Sequence, residues 1–175
     1  MKKFAVALLF CGVSAFAATV TYTTTGDFTS TGTGTVTNGG ETITYTDAAG
    51  SVSTPTFTNV GTFTVTGNSS GTFSDSFTLT ILQTVPSTGS GTTSSAISGT
   101  ITGTSSSISL SFVPSSFLIG PVTWEVFNTP LNNPSVAGGV TTIEAFVNVP
   151  EPGSLALIGA SLFGLGLVAR RRFMK

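Results

Sequence analysis

The sequence contains no histidine, and its one cysteine, Cys11, lies close to the amino terminus. Charge is also scarce, because only 7% of the 175 residues are Asp, Glu, Lys or Arg. Residues 18–149 lack cysteine, so this body cannot be cross-linked by disulfides and has to bury a core. Every basic residue is terminal: Lys2, Lys3, Arg170, Arg171, Arg172 and Lys175. The body has six acidic residues: Asp27, Glu41, Asp47, Asp75, Glu125 and Glu144.

These absences exclude several kinds of chemistry. A body without His, Cys, Lys or Arg cannot form a Ser-His-Asp or Cys-His arrangement, and it lacks zinc ligands. An acidic body without basic residues has no charge pattern suited to nucleic acid. Glu125 and Glu144 are the only carboxylate pair on strong strand patterns, but both alternate with apolar faces, as solvent-facing residues do. We expect no enzyme activity, no catalytic residue and no cofactor.

Calcium is the remaining metal to consider, since Asp27, Asp47 and Asp75 lie in or beside predicted loops. They show no Asp-x-Asp-x-Asp spacing, so the favoured interpretation is solvated turn carboxylates and no metal site. Asp75 shares the parity of Phe73, Phe77 and Leu79. This parity predicts either a bulge or a position at the polar border of the sheet.

The amino-terminal residues 1–17 have the pattern of a signal peptide. Lys2 and Lys3 precede an apolar run, and Ala15 and Ala17 provide the small residues that signal peptidase reads. Cleavage after Ala17 would begin the mature chain at Ala18. The bulky Phe10 before Cys11 departs from a lipoprotein signal, so we expect Cys11 to leave with the peptide.

Residues 18–149 alternate apolar side chains with Thr and Ser. Examples are Phe63 and Val65, the trio Phe77, Leu79 and Ile81, the trio Ile108, Leu110 and Phe112, the trio Val122, Trp124 and Val126, and the trio Ile143, Ala145 and Val147. Period two with β-branched and aromatic enrichment predicts half-buried strands. We expect an all-β fold: a single antiparallel β-sandwich of jelly-roll or Greek-key type. The alternatives are a β-solenoid and a partly disordered stalk. The sequence shows no fixed repeat period, which argues against the solenoid.

Nine strands are predicted, near residues 19–25, 31–37, 41–46, 56–66, 72–83, 96–102, 106–113, 121–127 and 140–147. The Ser, Thr and Gly residues from Ser87 to Ser95 predict a flexible excursion between strands. Residues 128–139, with Pro130 and Pro134, predict a second long loop.

The carboxy-terminal residues 150–175 have three parts in a fixed order. Pro150, Glu151 and Pro152 disfavour helix, an uncharged apolar run follows from Gly153 to Ala169, and Arg170, Arg171 and Arg172 end it. A helix over 153–169 would rise roughly 25 Å, at the short end of what spans a bilayer core. The positive-inside rule then keeps both basic ends in the cytoplasm and the body outside.

This ending resembles the PEP-CTERM sorting signal of Gram-negative bacteria, over residues 149–175. The resemblance implies that exosortase, a membrane-embedded protease, cuts near Pro150, Glu151 and Pro152 and passes the body to the cell surface. The three arginines then act in membrane retention. The family occurs with exopolysaccharide export, so the resemblance also implies an association with exopolysaccharide or biofilm matrix. The expected partners are signal peptidase, exosortase and the membrane.

Two functions remain open for the body. The first is a non-enzymatic structural protein of the cell surface or extracellular matrix. The second is a carbohydrate-binding module that uses exposed aromatic side chains such as Tyr22, Tyr45 or Trp124. Burial of these three side chains would favour the first function, and a row of aromatics on a solvent-facing sheet would favour the second.

Export predicts a defined amino terminus. Peptide mapping of the envelope fraction should give Ala18 as the first residue, because Ala15 and Ala17 fit the peptidase pockets. Ala17→Leu should accumulate uncleaved precursor, whereas Phe16→Leu should be processed normally, since a bulky residue already stands there. Recovery of the wild-type chain with Met1 intact in the cytoplasm would contradict the assignment.

Overall fold

The computed structural model describes residues 17–150 together with Gly159, Ser161, Leu162 and Gly164. The predicted signal peptide, apart from Ala17, and most of the predicted membrane helix 153–169 lie outside the described residues. Among those that are described, no helix is long and apolar enough to cross a membrane. The division into residues 1–17, 18–149 and 150–175 therefore stays a prediction.

Between residues 17 and 150 the chain forms strands and short connections. The strands are β1 (Thr19–Phe28), β2 (Thr35–Asn38), β3 (Glu41–Thr46), β4 (Ala49–Ser53), β5 (Thr56–Thr66), β6 (Ser70–Val85), β7 (Gly89–Thr102), β8 (Ser105–Ser106), β9 (Ser109–Leu110), β10 (Ser116–Ile119), β11 (Val122–Val126), β12 (Thr129–Pro130) and β13 (Val140–Asn148). A 3₁₀ turn, Ala137–Gly139, precedes β13.

The strands form two main sheets with antiparallel pairing throughout. Sheet A has the order β4-β1-β6-β7-β8, and sheet B has the order β10-β11-β13-β5-β3-β2. Strands β9 and β12 pair with each other beside them. The expectation of an all-β antiparallel fold is confirmed, while the jelly-roll or Greek-key type stays a prediction.

The predicted inward faces are confirmed. Every apolar residue of the five alternating sets lies in one buried core, with at most 2% of its surface exposed. In each set the residues between them are Thr, Ser or Glu, with Phe146 as the one apolar exception, and they lie outward or half-buried. Period-two alternation therefore assigned the inward face correctly in all five sets.

Several strand predictions were wrong. The stretch Ser87 to Ser95 is not a flexible excursion, because β7 begins at Gly89 and pairs with β6 along its whole length. Its inward positions carry small residues, which leave space for a neighbour: a Cβ at Gly91 would lie 2.3 Å from the ring of Phe117. Absence of large apolar residues therefore marked a covered strand and not a loop.

Three smaller differences accompany this one. Strands β4 and β10 were not predicted, although β4 pairs with β1 and β10 with β11. The predicted strand 31–37 begins only at Thr35, and the predicted strand 106–113 is reduced to the short β8 and β9. The predicted long loop 128–139 holds only the two-residue β12 and the 3₁₀ turn.

An aromatic cluster joins the two sheets. Phe28 and Phe77 project from sheet A, and Phe63 and Tyr45 project from sheet B. Ring centroids of Phe63 and Phe77 lie 4.8 Å apart, those of Tyr45 and Phe77 4.9 Å, and those of Phe28 and Phe77 5.3 Å. Phe77 contacts all three partners, so it is the centre of the contact between the layers.

Removing the Phe77 ring should therefore destabilise the fold strongly. Phe77→Ala should lower the free energy of unfolding by about 3–5 kcal/mol, because it opens a cavity that the two sheets cannot close. Urea titration of the detergent-solubilised mature chain, followed by the fluorescence of its single tryptophan, measures this change. Phe57→Ala is the matched control: that ring is 62% exposed, and its loss should cost about 1 kcal/mol. Equal losses would contradict the described core.

Candidate functional site

The carboxy-terminal boundary of the body is built on a central strand. β13 lies between β11 and β5 in sheet B, where Asn148 pairs with Thr123 and Val147 pairs with Thr56. Val149 is half-buried and packs against the core, and Pro150 is exposed. The chain thus leaves a firmly paired strand directly at the surface, one residue before the predicted processing motif begins.

The remaining predicted sorting residues lie beyond this boundary. Glu151, Pro152, Arg170, Arg171 and Arg172 fall outside the described residues, as does Ala15. Ala17 is described and exposed, just before β1. Both predicted processing points that the structure reaches, at Ala17 and at Pro150, are therefore accessible at the surface of the folded body.

The three aromatic residues considered for carbohydrate binding are all buried. Trp124 is fully buried, and Tyr22 and Tyr45 expose 3% and 6% of their surface. The rings of Tyr22 and Trp124 meet edge to face at 5.2 Å between centroids. Trp124 donates its indole N–H to Gln83 Oε1 at 3.1 Å, and Gln83 in turn donates to the carbonyl of Ile119 at 3.3 Å.

Both tyrosine hydroxyls are used within the fold. Tyr22 donates to the carbonyl of Asn59 at 2.6 Å, and Tyr45 donates to the carbonyl of Val60 at 2.6 Å. These carbonyls lie at a bulge of β5, where the register against β13 shifts between Gly61 and Asn59. Gly61 has φ 145°, and a Cβ there would lie 2.2 Å from the Tyr45 ring. The tyrosines thus connect the layers and present no face for a sugar ring.

The two strand glutamates lie on the outer face of sheet B, as predicted. Glu125 is opposite Phe146, and Glu144 is opposite Asn59. Both are exposed, and no basic side chain can pair with them within the body. A carboxyl pair acting on a glycoside needs one member held in a protonated, water-poor setting. These two side chains lie on an open sheet face.

Of the three aspartates considered for calcium, Asp27 lies in β1, Asp75 lies in β6, and Asp47 lies between β3 and β4. Among the described residues, no group of three or more His, Cys, Asp or Glu could hold a metal ion. Asp75 lies at the polar border of sheet A and not at a bulge, since its pairing with Ile97 continues without a shift. It accepts hydrogen bonds from Ser30 N at 3.2 Å, from the Ser30 hydroxyl, and from Ser76 N at 2.7 Å. Its role is to hold the turn after β1.

Glu41 is a buried carboxyl that the sequence analysis did not single out. It is fully buried at the start of β3, and its Oε1 accepts a hydrogen bond from Ser69 N at 2.7 Å. Oε2 is buried without a hydrogen-bond partner among the described residues. Its parity with Ile43 and Tyr45 already places it on the inward face. The turn at 67–71 closes over it, because a Cβ at Gly67 would lie 2.5 Å from Oε2.

Three phenylalanines on the outer face of sheet B were also missed. Phe57 is 62% exposed, and Phe127 and Phe146 are half-buried. The ring centroid of Phe57 lies 5.7 Å from that of Phe127 and 5.1 Å from that of Phe146. Phe146 lies two residues from Glu144 and so shares its outward parity, from which its position on the outer face could have been predicted. Phe57 shares the parity of Phe63, so only the bulge between them turns it outward.

Burial of Tyr45 generates a pH prediction. Burial raises the pKa of the Tyr45 hydroxyl far above its ordinary value of 10.0, and the nearby negative charge of Asp47 adds to the rise. The unfolded chain therefore loses this proton first, and stability should fall as pH rises beyond about 10, with a limiting slope of about 1.4 kcal/mol per pH unit. Tyr45→Phe should flatten this fall in urea titrations between pH 9 and pH 11, roughly the window in which the unfolded tyrosine ionises.

The Tyr45→Phe variant should also be less stable at neutral pH, because two hydrogen bonds of its hydroxyl are lost. Glu144→Gln is the control, since an exposed carboxyl has no part in the alkaline slope. A slope unchanged by Tyr45→Phe would contradict this explanation.

Comparison with known proteins identifies the segment at the carboxy-terminal boundary. Residues 148–172 match the PEP-CTERM protein-sorting motif. The match begins at the last residue of β13 and includes Pro150, Glu151, Pro152 and the three arginines, which confirms the resemblance noted in the sequence. No curated protein and no solved structure matches the chain.

Proposed function

We propose that the chain is the precursor of an exported, non-enzymatic structural protein of the cell surface or extracellular matrix, sorted and processed by exosortase. The observation that carries this proposal is the sorting motif at residues 148–172, joined directly to the end of a central strand. The motif implies an exosortase substrate that is exported and processed during membrane transit.

The proposed route has three steps. Signal peptidase cleaves after Ala17, and the apolar run 153–169 holds the chain in the inner membrane with the body outside the cytoplasm. Exosortase then cuts near Pro150, Glu151 and Pro152, and the body moves to the surface. The accessible Pro150 next to a paired strand supports this order, because cleavage there removes nothing from the buried core.

Composition supports a non-enzymatic role for the body. Residues 18–149 contain no His, Cys, Lys or Arg, so the many Ser and Thr hydroxyls have no His or Lys base to activate them, and cationic clamps are missing. The outer faces of both sheets carry Thr and Ser hydroxyls in cross-strand pairs, such as Thr37 with Thr42 at 2.9 Å and Thr78 with Ser94 at 3.1 Å. A hydroxyl-rich surface without basic residues suits a hydrated polysaccharide matrix.

The alternative, a carbohydrate-binding module, loses the side chains first considered for it. Tyr22, Tyr45 and Trp124 are buried and hydrogen-bonded. The outer face carries Phe57, Phe127 and Phe146 instead, but their planes are inclined by 35° and 53°. A flat stacking platform would need rings close to one plane, so the structural role is the better supported of the two.

The tail should act in two separable ways, and substitution tests this directly. Changing Pro150, Glu151 and Pro152 to alanine should leave membrane insertion intact, because the apolar run and the arginines are unchanged. Uncleaved precursor should then accumulate in the inner membrane of a host that produces exosortase. Changing Arg170, Arg171 and Arg172 to Gln should impair retention, since each arginine costs about 2.5–3.5 kcal/mol at the bilayer centre.

The readout is the mass and fraction of the product on gels of separated membranes and medium. Pro121→Ala with Glu125→Ala is the matched control, because it removes one proline and one glutamate that lie exposed outside the motif. Release of the 150–152 alanine variant at the wild-type rate would refute processing by exosortase and leave a plain anchor.

A further inference from the structure

Of the seven large apolar side chains that are exposed between residues 17 and 150, four lie at one end of the body, and Val113, Val136 and Val140 lie elsewhere. These four expose between 43% and 67% of their surface: Phe57, Leu82, Val85 and Leu118. Phe127 and Phe146 lie beside Phe57. We call these six residues the apolar collar. On the surfaces of soluble monomeric proteins, exposed apolar residues usually occur singly. A group of them at one end therefore indicates a surface that contacts a partner.

The strand register places the sheet B members of the collar at a common end. Phe57 is the second residue of β5 and lies opposite Phe146, near the end of β13. Leu118 lies opposite Thr123, which in turn lies opposite Asn148, the last residue of β13. Phe57, Phe146 and Leu118 therefore occupy the rows nearest to the point where the chain leaves the body. Phe127 lies farther from that point, since its N–H donates to the carbonyl of Glu144 at 3.0 Å.

Sheet A contributes at the same end. Val85 ends β6 and pairs with Thr21, and Leu82 pairs with Thr23, close to the start of β1. The two sheets meet here, because Gln83 Nε2 of sheet A donates to the carbonyl of Ile119 of sheet B at 3.3 Å. The collar thus surrounds the end at which the mature chain begins and at which β13 finishes.

The chain length after β13 limits how far this end can be from the membrane. Four residues, 149–152, separate β13 from the apolar run. Fully extended, they span at most about 14 Å, of which the headgroup layer of one leaflet takes about 5–8 Å. While the run is anchored, the collar end is therefore held at the membrane surface.

We propose that the apolar collar rests in the outer interface of the membrane and holds the anchored precursor upright, with its Pro150 end at the bilayer. This inference rests on the proposed function, because it needs residues 153–169 to be the anchor. Aromatic and aliphatic side chains are stabilised at such interfaces. The collar then keeps the processing segment at the depth where a membrane-embedded protease works.

The charge of the body determines which lipid headgroups the collar contacts. The body has no Lys or Arg to attract anionic headgroups, and the exposed Glu125 and Glu144 lie beside Phe146 and Phe57. Contact therefore depends on apolar burial, and zwitterionic lipid is the favoured surface. Adding phosphatidylglycerol to phosphatidylcholine vesicles should weaken the contact or leave it unchanged.

The mature chain without cysteine allows single fluorescent labels at the two ends of one strand. Thr88→Cys lies just before β7, at the collar end, and Thr104→Cys lies just after it. The fourteen residues of β7 separate them by roughly 45 Å. The full mature chain is reconstituted in phosphatidylcholine vesicles that carry a nitroxide lipid quencher. We expect quenching at Thr88→Cys and none at Thr104→Cys.

A collar variant tests the cause of this contact. Phe57→Ser combined with Leu118→Ser should reduce quenching at Thr88→Cys towards the Thr104→Cys level. Val140→Ser is the matched control, because Val140 is an exposed apolar residue at the opposite end of the same sheet. Unchanged tryptophan fluorescence in both variants shows that Trp124 and the core are intact.

The outcomes separate this inference from the function on which it rests. Chain that resists alkaline carbonate extraction but shows equal quenching at both labels would overturn the collar and leave the anchor standing. Chain lost on extraction would overturn the anchor and the collar together. Disulfide-linked dimers of Thr88→Cys, or protection of that label by added polysaccharide without lipid quenching, would identify a second copy or a glycan as the occupant and refute the lipid contact.

Discussion

The packing of aromatic rings between two sheets is the interaction on which this body depends. A body without cysteine and without basic residues has neither disulfides nor ion pairs to hold its layers together. Phe77 of sheet A meets Phe63 and Tyr45 of sheet B. At the other side of the core, Tyr22 meets Trp124. Burying large rings with their few polar atoms satisfied stabilises such a core most effectively.

The polar atoms of this core explain why it has one arrangement. The hydroxyls of Tyr22 and Tyr45 reach carbonyls at the β5 bulge, and the indole of Trp124 reaches Gln83 on the opposite sheet. The bonds of Tyr22 and Trp124 cross between the sheets, as does the bond of the Tyr45 hydroxyl to Thr24 at 2.9 Å, whereas the bond from Tyr45 to Val60 lies within sheet B. The bonds that cross are lost if the sheets slide, which leaves buried polar groups unsatisfied. The side chains that looked most suitable for a ligand therefore serve to fix the register of the layers.

The outer faces of the sheets also have few charged residues. Outward positions carry mostly Thr and Ser, which favour strands and keep the surface polar without charge. Against this background the apolar collar and the exposed Pro150 stand out at one end of the body, next to the sorting motif. The fold thus separates a hydroxyl-covered surface from the end that carries the sorting motif.

Local sequence determined the inward faces, the all-β class and the sorting signal, because each depends on neighbours two residues apart or on one continuous segment. Phe77, Trp124 and Ile143 were assigned inward from alternation alone. Tertiary structure decided the rest. The bulge between Asn59 and Gly61 turns Phe57 outward, and Phe117 covers the small residues of β7. Both depend on residues far apart in the chain, and alternation within a strand carries no information about which distant strand will pair with it or what will cover it.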